Sequence, residues 1–161
     1  MQVHEVMTTE IITVSPETPF SRIWEVIFKK GIHGLPVVDK DNKILGIIAE
    51  EDLLLKLYSS YRLHPLYEKY LSGFVSGKNF EEMEKKLEKL TQLQAKDIMN
   101  RKVYLTYPEK PMLRALSKMI VRRVRQLPVI TKKKEVIGMI TKGDIFDCLF
   151  KKYLKFSKFK S

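Results

Sequence analysis

The chain has 161 residues, 44% hydrophobic and 10% aromatic, enough for one well-buried core or two small halves that share one. No segment approaches the roughly 18 consecutive apolar residues of a membrane span, and the opening MQVHEVMTTE lacks the basic start and apolar stretch of a signal peptide, so a soluble cytoplasmic protein is expected. The net charge of +11 is uneven: residues 1–60 carry −3, residues 61–96 carry +2 and residues 97–161 carry +12, which makes anions the first partners to consider.

Ile11 to Val14 reads as a short strand ended near Pro16, because proline has no N–H to give to a ladder. Thr18-Pro19 then places a hydroxyl at a helix cap and a proline in the first turn, and Ile23, Trp24, Ile27 and Phe28 recur on one helical face. Leu35 to Val38 and Ile44 to Ile48 are apolar runs joined by the polar turn Asp39 to Lys43. Gly46 interrupts the second run, which marks a bulge or a close approach by another backbone or a ligand. A helix begins near Leu53.

From Tyr58 to Gly77 the composition changes to a loop with short helical pieces, rich in Ser, Pro and Gly. Phe80, Met83, Leu87, Leu90 and Leu93 resume helical spacing, with Glu81, Glu82, Lys85 and Lys86 on the outer side, and this helix packs against the module or a second subunit. The first series then returns. Val103 to Thr106 is a strand, Ala115, Leu116, Met119 and Ile120 share a helix face, and Leu127 to Ile130 and Val136 to Ile140 flank the turn Thr131 to Glu135, with Gly138 in the place of Gly46. At the end, Leu149, Tyr153 and Phe156 form the apolar side of an amphipathic helix that solvates its lysines.

That return is an internal repeat. Met7, Pro16, Glu17, Pro19, Arg22, Leu35, Pro36, Val37, Lys40, Gly46, Ile48 and Asp52 recur 92 positions later, from Met99 to Asp144, giving 12 identities in 46 positions without a gap. The expected fold is α/β (α+β): two βαββα repeats as one pseudo-two-fold module, residues 1–56 and 97–156, with a helical insertion at 57–96 and a basic tail at 157–161.

The paired elements, Val6-Met7 and Ile98-Met99, the Leu-Pro-Val-Val and Leu-Pro-Val-Ile runs, and the Gly-apolar-apolar-x-x-x-Asp ends, resemble those of the CBS domain, named after cystathionine β-synthase, which occurs as tandem pairs. The resemblance implies two clefts related by pseudo-two-fold symmetry that bind adenine nucleotides. The family pattern is Gly-apolar-apolar-Thr/Ser-x-x-Asp, in which the carboxylate holds the ribose diol and the hydroxyl meets phosphate. Gly138-Met139-Ile140-Thr141-Lys142-Gly143-Asp144 fits it completely, whereas Gly46-Ile47-Ile48-Ala49-Glu50-Glu51-Asp52 keeps only the carboxylate and adds two acids.

An ionised carboxylate has acceptors only, so Asp144 is chemically suited to take both ribose hydroxyl protons. Thr141 lies where the next helix presents unpaired N–H groups and a positive dipole end, and Gly143 leaves room for backbone approach. The same residues also read as a capping box that does nothing but stabilise a helix, and both readings stand. Carried over from the family, Asp144 and Thr141 face His33 and Gly34, with Thr13, Val14 and Ser15 near the base; Asp52 faces Arg125 and Gln126, with Leu105, Thr106 and Tyr107 near the base. Met139 and Ile140 belong to the adenine side of the second motif. His33 and Arg125 are phosphate ligands in this scheme, His33 more strongly when protonated and Arg125 through its fork of donors.

No catalytic arrangement stands out, and the chain does not read as an enzyme. His4, His33 and His64 lack metal-ligand spacing, and Cys148 has no adjacent base and reads as a buried small apolar residue. No metal or required cofactor is expected. The leading reading is a stand-alone regulatory module that senses AMP, ADP or ATP, with S-adenosylmethionine as the alternative, and acts as a homodimer on an effector protein. Binding of nucleic acid or another polyanion by the basic second half and tail, and a ligand-free structural role, are the other readings.

Overall fold

The structure, a computed structural model, describes residues 1–53 and 77–151. His64, the expected loop from Tyr58 to Gly77 except for Gly77 itself, which opens a helix, and the tail from Lys152 with Tyr153 and Phe156 lie outside the described residues.

The first repeat contains helix α1 (Phe20–Trp24), which passes directly into a π-helical turn (Glu25–Lys29), and strands β1 (Gly34–Val38) and β2 (Ile44–Ala49), which pair in a two-stranded sheet. Residues 50–53 are helical. Helices α2 (Gly77–Thr91) and α3 (Ala95–Ile98) follow. The second repeat supplies α4 (Met112–Arg122), β3 (Gln126–Ile130), β4 (Val136–Thr141) and α5 (Lys142–Lys151). Strands β3 and β4 are antiparallel, with Leu127 opposite Ile140 and a bulge between Val129 and Ile130. The mixed α/β class and the order of these elements are as expected.

Five local expectations need correction. The strands at Ile11 to Val14 and Val103 to Thr106 shrink to single parallel bridges, Val14 with Val37 and Thr106 with Val129, because Pro16 and Pro108 follow so closely. Pro19 rather than Thr18 is the N-cap of α1; the Thr18 hydroxyl instead accepts from the Ser15 N–H at 3.1 Å. The buried face of α1 and its π turn is Ile23, Val26 and Ile27, while Trp24 and Phe28 are 43% and 40% exposed. Ile23, Val26 and Ile27 stand at i, i+3 and i+4, one ordinary helical face, and Trp24 and Phe28 fall to the side of it. Helix α4 likewise buries Met112, Ala115 and Met119 and leaves Ile120 exposed, and Cys148 is half-buried with its Sγ 3.6 Å from the Met1 Sδ.

The described residues cluster into two discontinuous units. One contains residues 1–12, 40–44 and 102–151. Its core is Met112, Ala115, Met119, Leu127, Val129, Ile140 and Ile145, closed by the fully buried Val3 from the start of the chain. Thr8 pairs with Met139 through two backbone bonds of 2.9 Å, adding the leading segment of the first repeat beside β4. Equivalent residues meet at the hairpin tips in this unit: Lys43 bridges Glu135, the Ile44 N–H donates to the Lys134 carbonyl, and the Val136 N–H donates to that of Asn42.

The other unit contains residues 13–39 and 45–101. Ile23, Val26, Leu35, Val37, Ile48, Leu90, Ala95 and Ile98 are buried there. Asn100 pairs with Ile47 at 3.0 and 2.9 Å, so the segment leading into the second repeat lies beside β2, as Thr8 lies beside β4. Each repeat therefore lends its leading segment to the sheet of the other. This exchange explains the repeated glycines. A Cβ on Gly46 would sit 2.6 Å from the Met99 Sδ, and one on Gly138 would sit 2.8 Å from the Thr8 carbonyl oxygen and 3.0 Å from the Met7 Sδ.

Candidate functional site

Strand β4 runs into α5 without an intervening residue, and the buried Ile145 ties the first turn of the helix to the core. Thr141 and Asp144 close that turn through three bonds. The Thr141 N–H and hydroxyl both donate to the Asp144 Oδ2 at 2.8 Å, and the Asp144 N–H donates to the Thr141 Oγ1 at 3.1 Å. This is the capping box read from the sequence, and it satisfies donors that a helix start otherwise leaves unpaired. Oδ1 takes part in none of the three bonds. A carboxylate offers about four lone-pair sites, so capping through Oδ2 leaves the acceptors of Oδ1 for a ligand. The capping and ligand-binding readings of Asp144 are thus compatible.

Gln126 lies opposite Thr141 in the β3–β4 register, and the Lys142 N–H donates to the Arg125 carbonyl at 3.2 Å. Arg125 and Gln126, which the family pattern assigns to the cleft of Asp52, therefore lie beside the turn of Thr141. Thr106, 3% exposed, donates its N–H to the Pro128 carbonyl at 3.0 Å, with Leu105 and Tyr107 half-buried on either side. Ile140 is fully buried and Met139 nearly so, so Ile140 has only its backbone to offer a ligand.

The turn of the first repeat is built differently. The Ala49 N–H donates to the Asp52 Oδ2 at 2.8 Å, which preserves one bond of the three, since Ala49 has no hydroxyl to make the others. His33 Nδ1 lies 3.5 Å from the Glu50 Oε2, an ion pair when the imidazole is protonated. Gly34 opens β1 and is buried, Val14 is buried against that strand, Thr13 is half-buried and Ser15 is exposed.

Position by position, the two turns carry opposite charge. Arg125, Thr141, Lys142 and Gly143 occupy the places of His33, Ala49, Glu50 and Glu51. The second turn gathers two cations around one carboxylate, whereas the first gathers three carboxylates and a histidine. Coulomb attraction therefore favours an anionic group at the second turn and opposes it at the first. Lys142 was not singled out from the sequence; its place between Thr141 and Asp144, opposite in charge to Glu50, was the available signal.

A groove of about 650 Å³ between α1 and α2, lined by Trp24, Phe28, Leu53, Leu87 and Leu90, contains none of the anticipated ligand residues. Among the described residues no helix is long and apolar enough to cross a membrane, and no group of three His, Cys, Asp or Glu is placed to hold a metal.

The family model described as the CBS domain matches residues 3–59 and 95–151. A CBS domain-containing protein of Dictyostelium discoideum is 30% identical over 149 residues, covering 92% of this chain and 91% of that protein. An uncharacterized protein of Methanocaldococcus jannaschii is 28% identical over 160 residues with the same coverage. Among solved structures, CBSX2 of Arabidopsis thaliana, in complex with AMP, superposes with a TM-score of 0.70 at 22% identity, covering 95% of this chain and 99% of that one. A CBS domain pair in complex with 5′-methylthioadenosine and S-adenosyl-L-methionine superposes with a TM-score of 0.66 at 20% identity, covering 94% and 98%.

Proposed function

The chain belongs to the CBS domain family, and from that premise we propose that it is a regulatory module which binds an adenine nucleotide at the Thr141–Asp144 turn and passes the occupancy on as a change of conformation or assembly. The observation that carries this reading is the Asp144 carboxylate, whose Oδ2 is held by Thr141 while Oδ1 stays outside the capping bonds. Oδ1 accepts the ribose hydroxyls, and Thr141, the start of α5 and Arg125 receive phosphate. The bound AMP and the bound adenosine derivatives of the two solved family members support an adenine-containing ligand. The charge at the turn favours AMP, ADP or ATP over S-adenosylmethionine. Asp52, with Glu50 and Glu51 beside it, is a second and weaker position. A homodimer acting on a separate effector protein is the form in which the signal is read, since a ligand shifts a population only by binding one shape more tightly than the other.

Calorimetric titration of AMP, ADP, ATP and S-adenosylmethionine tests this, with thermal unfolding in parallel. A ligand at 100 times its Kd adds about 2.7 kcal/mol of apparent stability. Binding should vanish in Asp144→Ala and survive in Asp52→Ala. Absence of binding by all four at millimolar concentration, or loss in Asp52→Ala alone, would overturn the assignment.

A further inference from the structure

The charge of the second repeat is not consumed by this site. Residues 110–134 carry nine lysines and arginines and no aspartate or glutamate, whereas the equivalent residues 18–42 carry four cations and three acids. Within the stretch, Arg114, Lys118 and Arg122 recur at four-residue intervals along α4, all exposed. At a rise of about 1.5 Å per residue the row is about 12 Å long and stays on one side of the helix.

Two of the three cations are held in place. Lys118 Nζ donates to the Leu105 carbonyl at 2.8 Å, which leaves two of its three donors, and the Arg122 guanidinium lies 5.1 Å from the centre of the Tyr104 ring. No carboxylate pairs with Arg114, Lys118 or Arg122 among the described residues. A solvated helix face ordinarily mixes signs; this one is acid-free and partly pre-ordered by the segment that packs under it.

We propose that this face of α4 is a docking surface for the phosphate backbone of double-stranded nucleic acid, without sequence preference. A duplex carries about one negative charge per 1.7 Å of axis counting both strands, so a length of about 12 Å holds about seven phosphates, of which the three cations of the row contact about three, an extended series that a lone nucleotide does not offer. Single strands are the poorer fit, because they are held by exposed aromatic rings on which bases stack, and the aromatic ring at this row, Tyr104, is covered by Arg122. A bilayer is also the poorer fit. The exposed Leu113 and Ile120 project about 150° around the helix from the centre of the row, so one surface does not engage both, and only Val121 lies beside the cations.

The test is fluorescence anisotropy of the full chain with a labelled 24-base-pair duplex between 50 and 200 mM salt. Three phosphate contacts give a slope of log K against log salt of about −2.7, or about a 40-fold loss of affinity over that range. The triple variant Arg114→Gln, Lys118→Gln, Arg122→Gln should flatten the slope by that amount. If it does not fold, Arg114→Gln alone, which loses no bond of the described structure, should flatten it by about 0.9. Retained adenine-nucleotide binding in the triple variant, read by calorimetry, would show that the two surfaces are separate. The proposal is overturned by no duplex binding at 50 mM salt or an unchanged slope in the variants. It is equally overturned by tighter binding to a 24-nucleotide single strand or to phosphatidylglycerol vesicles, or by complete loss of binding in a Lys152, Lys155, Lys158, Lys160→Gln variant with α4 intact.

Discussion

Adding one methyl group at each repeated glycine should have different consequences, because different atoms occupy the space. In Gly138→Ala the new Cβ falls 2.8 Å from the Thr8 carbonyl oxygen, which is fixed by its own bond from the Met139 N–H at 2.9 Å. The backbone of the leading segment must move, and overpacking of this kind costs about 1–3 kcal/mol. In Gly46→Ala the three nearest atoms are the Sδ, Cγ and Cβ of Met99, at 2.6, 2.9 and 3.0 Å, all in one flexible side chain. The first substitution should therefore cost about 2–3 kcal/mol and the second about 1 kcal/mol. For a chain of this size these correspond to falls in Tm of about 4–12 °C and 2–4 °C. Double-mutant cycles sharpen the contrast. Met99→Ala, itself a costly loss of a buried side chain, should absorb most of the cost of Gly46→Ala, with a coupling of about 1 kcal/mol. Met7→Ala should leave the cost of Gly138→Ala unchanged within about 0.5 kcal/mol, since the Thr8 oxygen remains. Urea unfolding followed by circular dichroism measures all four energies. Equal rescue at both sites, or none at Gly46, would refute the exchanged packing of the leading segments.

Other outcomes follow from local geometry. Gly31 and Arg123 stand at equivalent positions after their helices with φ of +67° and +55°, so Arg123→Gly should raise stability by about 0.5–1 kcal/mol and Gly31→Ala lower it by about 1 kcal/mol, read as urea midpoints at constant m. A destabilised Arg123→Gly would show that the arginine side chain outweighs its backbone. Thr141→Ala deletes two of the three bonds of its turn and should cost about 1 kcal/mol, whereas Ala49→Thr should stabilise by restoring them at the first turn, in thermal unfolding. No gain there would mean that Glu50 and Glu51 oppose the cap. The hydrogen bond and charge of Arg22 hold the exposed Glu25 carboxyl below its ordinary value of 4.5. Its folded value lies below the unfolded one, so its small contribution is present at neutral pH and lost as pH falls below about 4.5. In an NMR titration, Arg22→Gln or 0.5 M salt should return Glu25 toward that value, and an unmoved titration would exclude the pair as the cause.

Strands β1 to β4 are legible because each is a short apolar run bounded by turn residues, and the 92-residue period placed each of these strands twice. The period holds in the backbone beyond residue identity: Asn42 and Lys134 share positive φ, as do Gly31 and Arg123. The helix faces were less legible. Trp24 and Phe28 satisfy helical spacing with Ile23 and Ile27, yet apolar spacing alone does not say which side meets the core, and the side that does is centred on Ile23, Val26 and Ile27. At the second turn, the capping pair Thr141 and Asp144 was legible from type and spacing, whereas Lys142 gains its meaning only from the position of Arg125, which strand register sets.

The amino-acid sequence by itself determined that this is a duplicated α/β unit of the CBS type, that its second motif is complete and its first is not, and that its positive charge resides in the second repeat, because periodicity, residue type and charge are properties of neighbours along the chain. Only the tertiary structure decided that the leading segment of each repeat pairs with the sheet of the other, that Gly46 and Gly138 make room for Met99 and for Thr8 and Met7, and that Asp144 caps its helix with one oxygen alone. The first two outcomes depend on contacts between residues about 50 to 130 apart in sequence, and on which of several allowed pairings closes the core without overlap, and the last on which carboxylate oxygen turns toward the helix start.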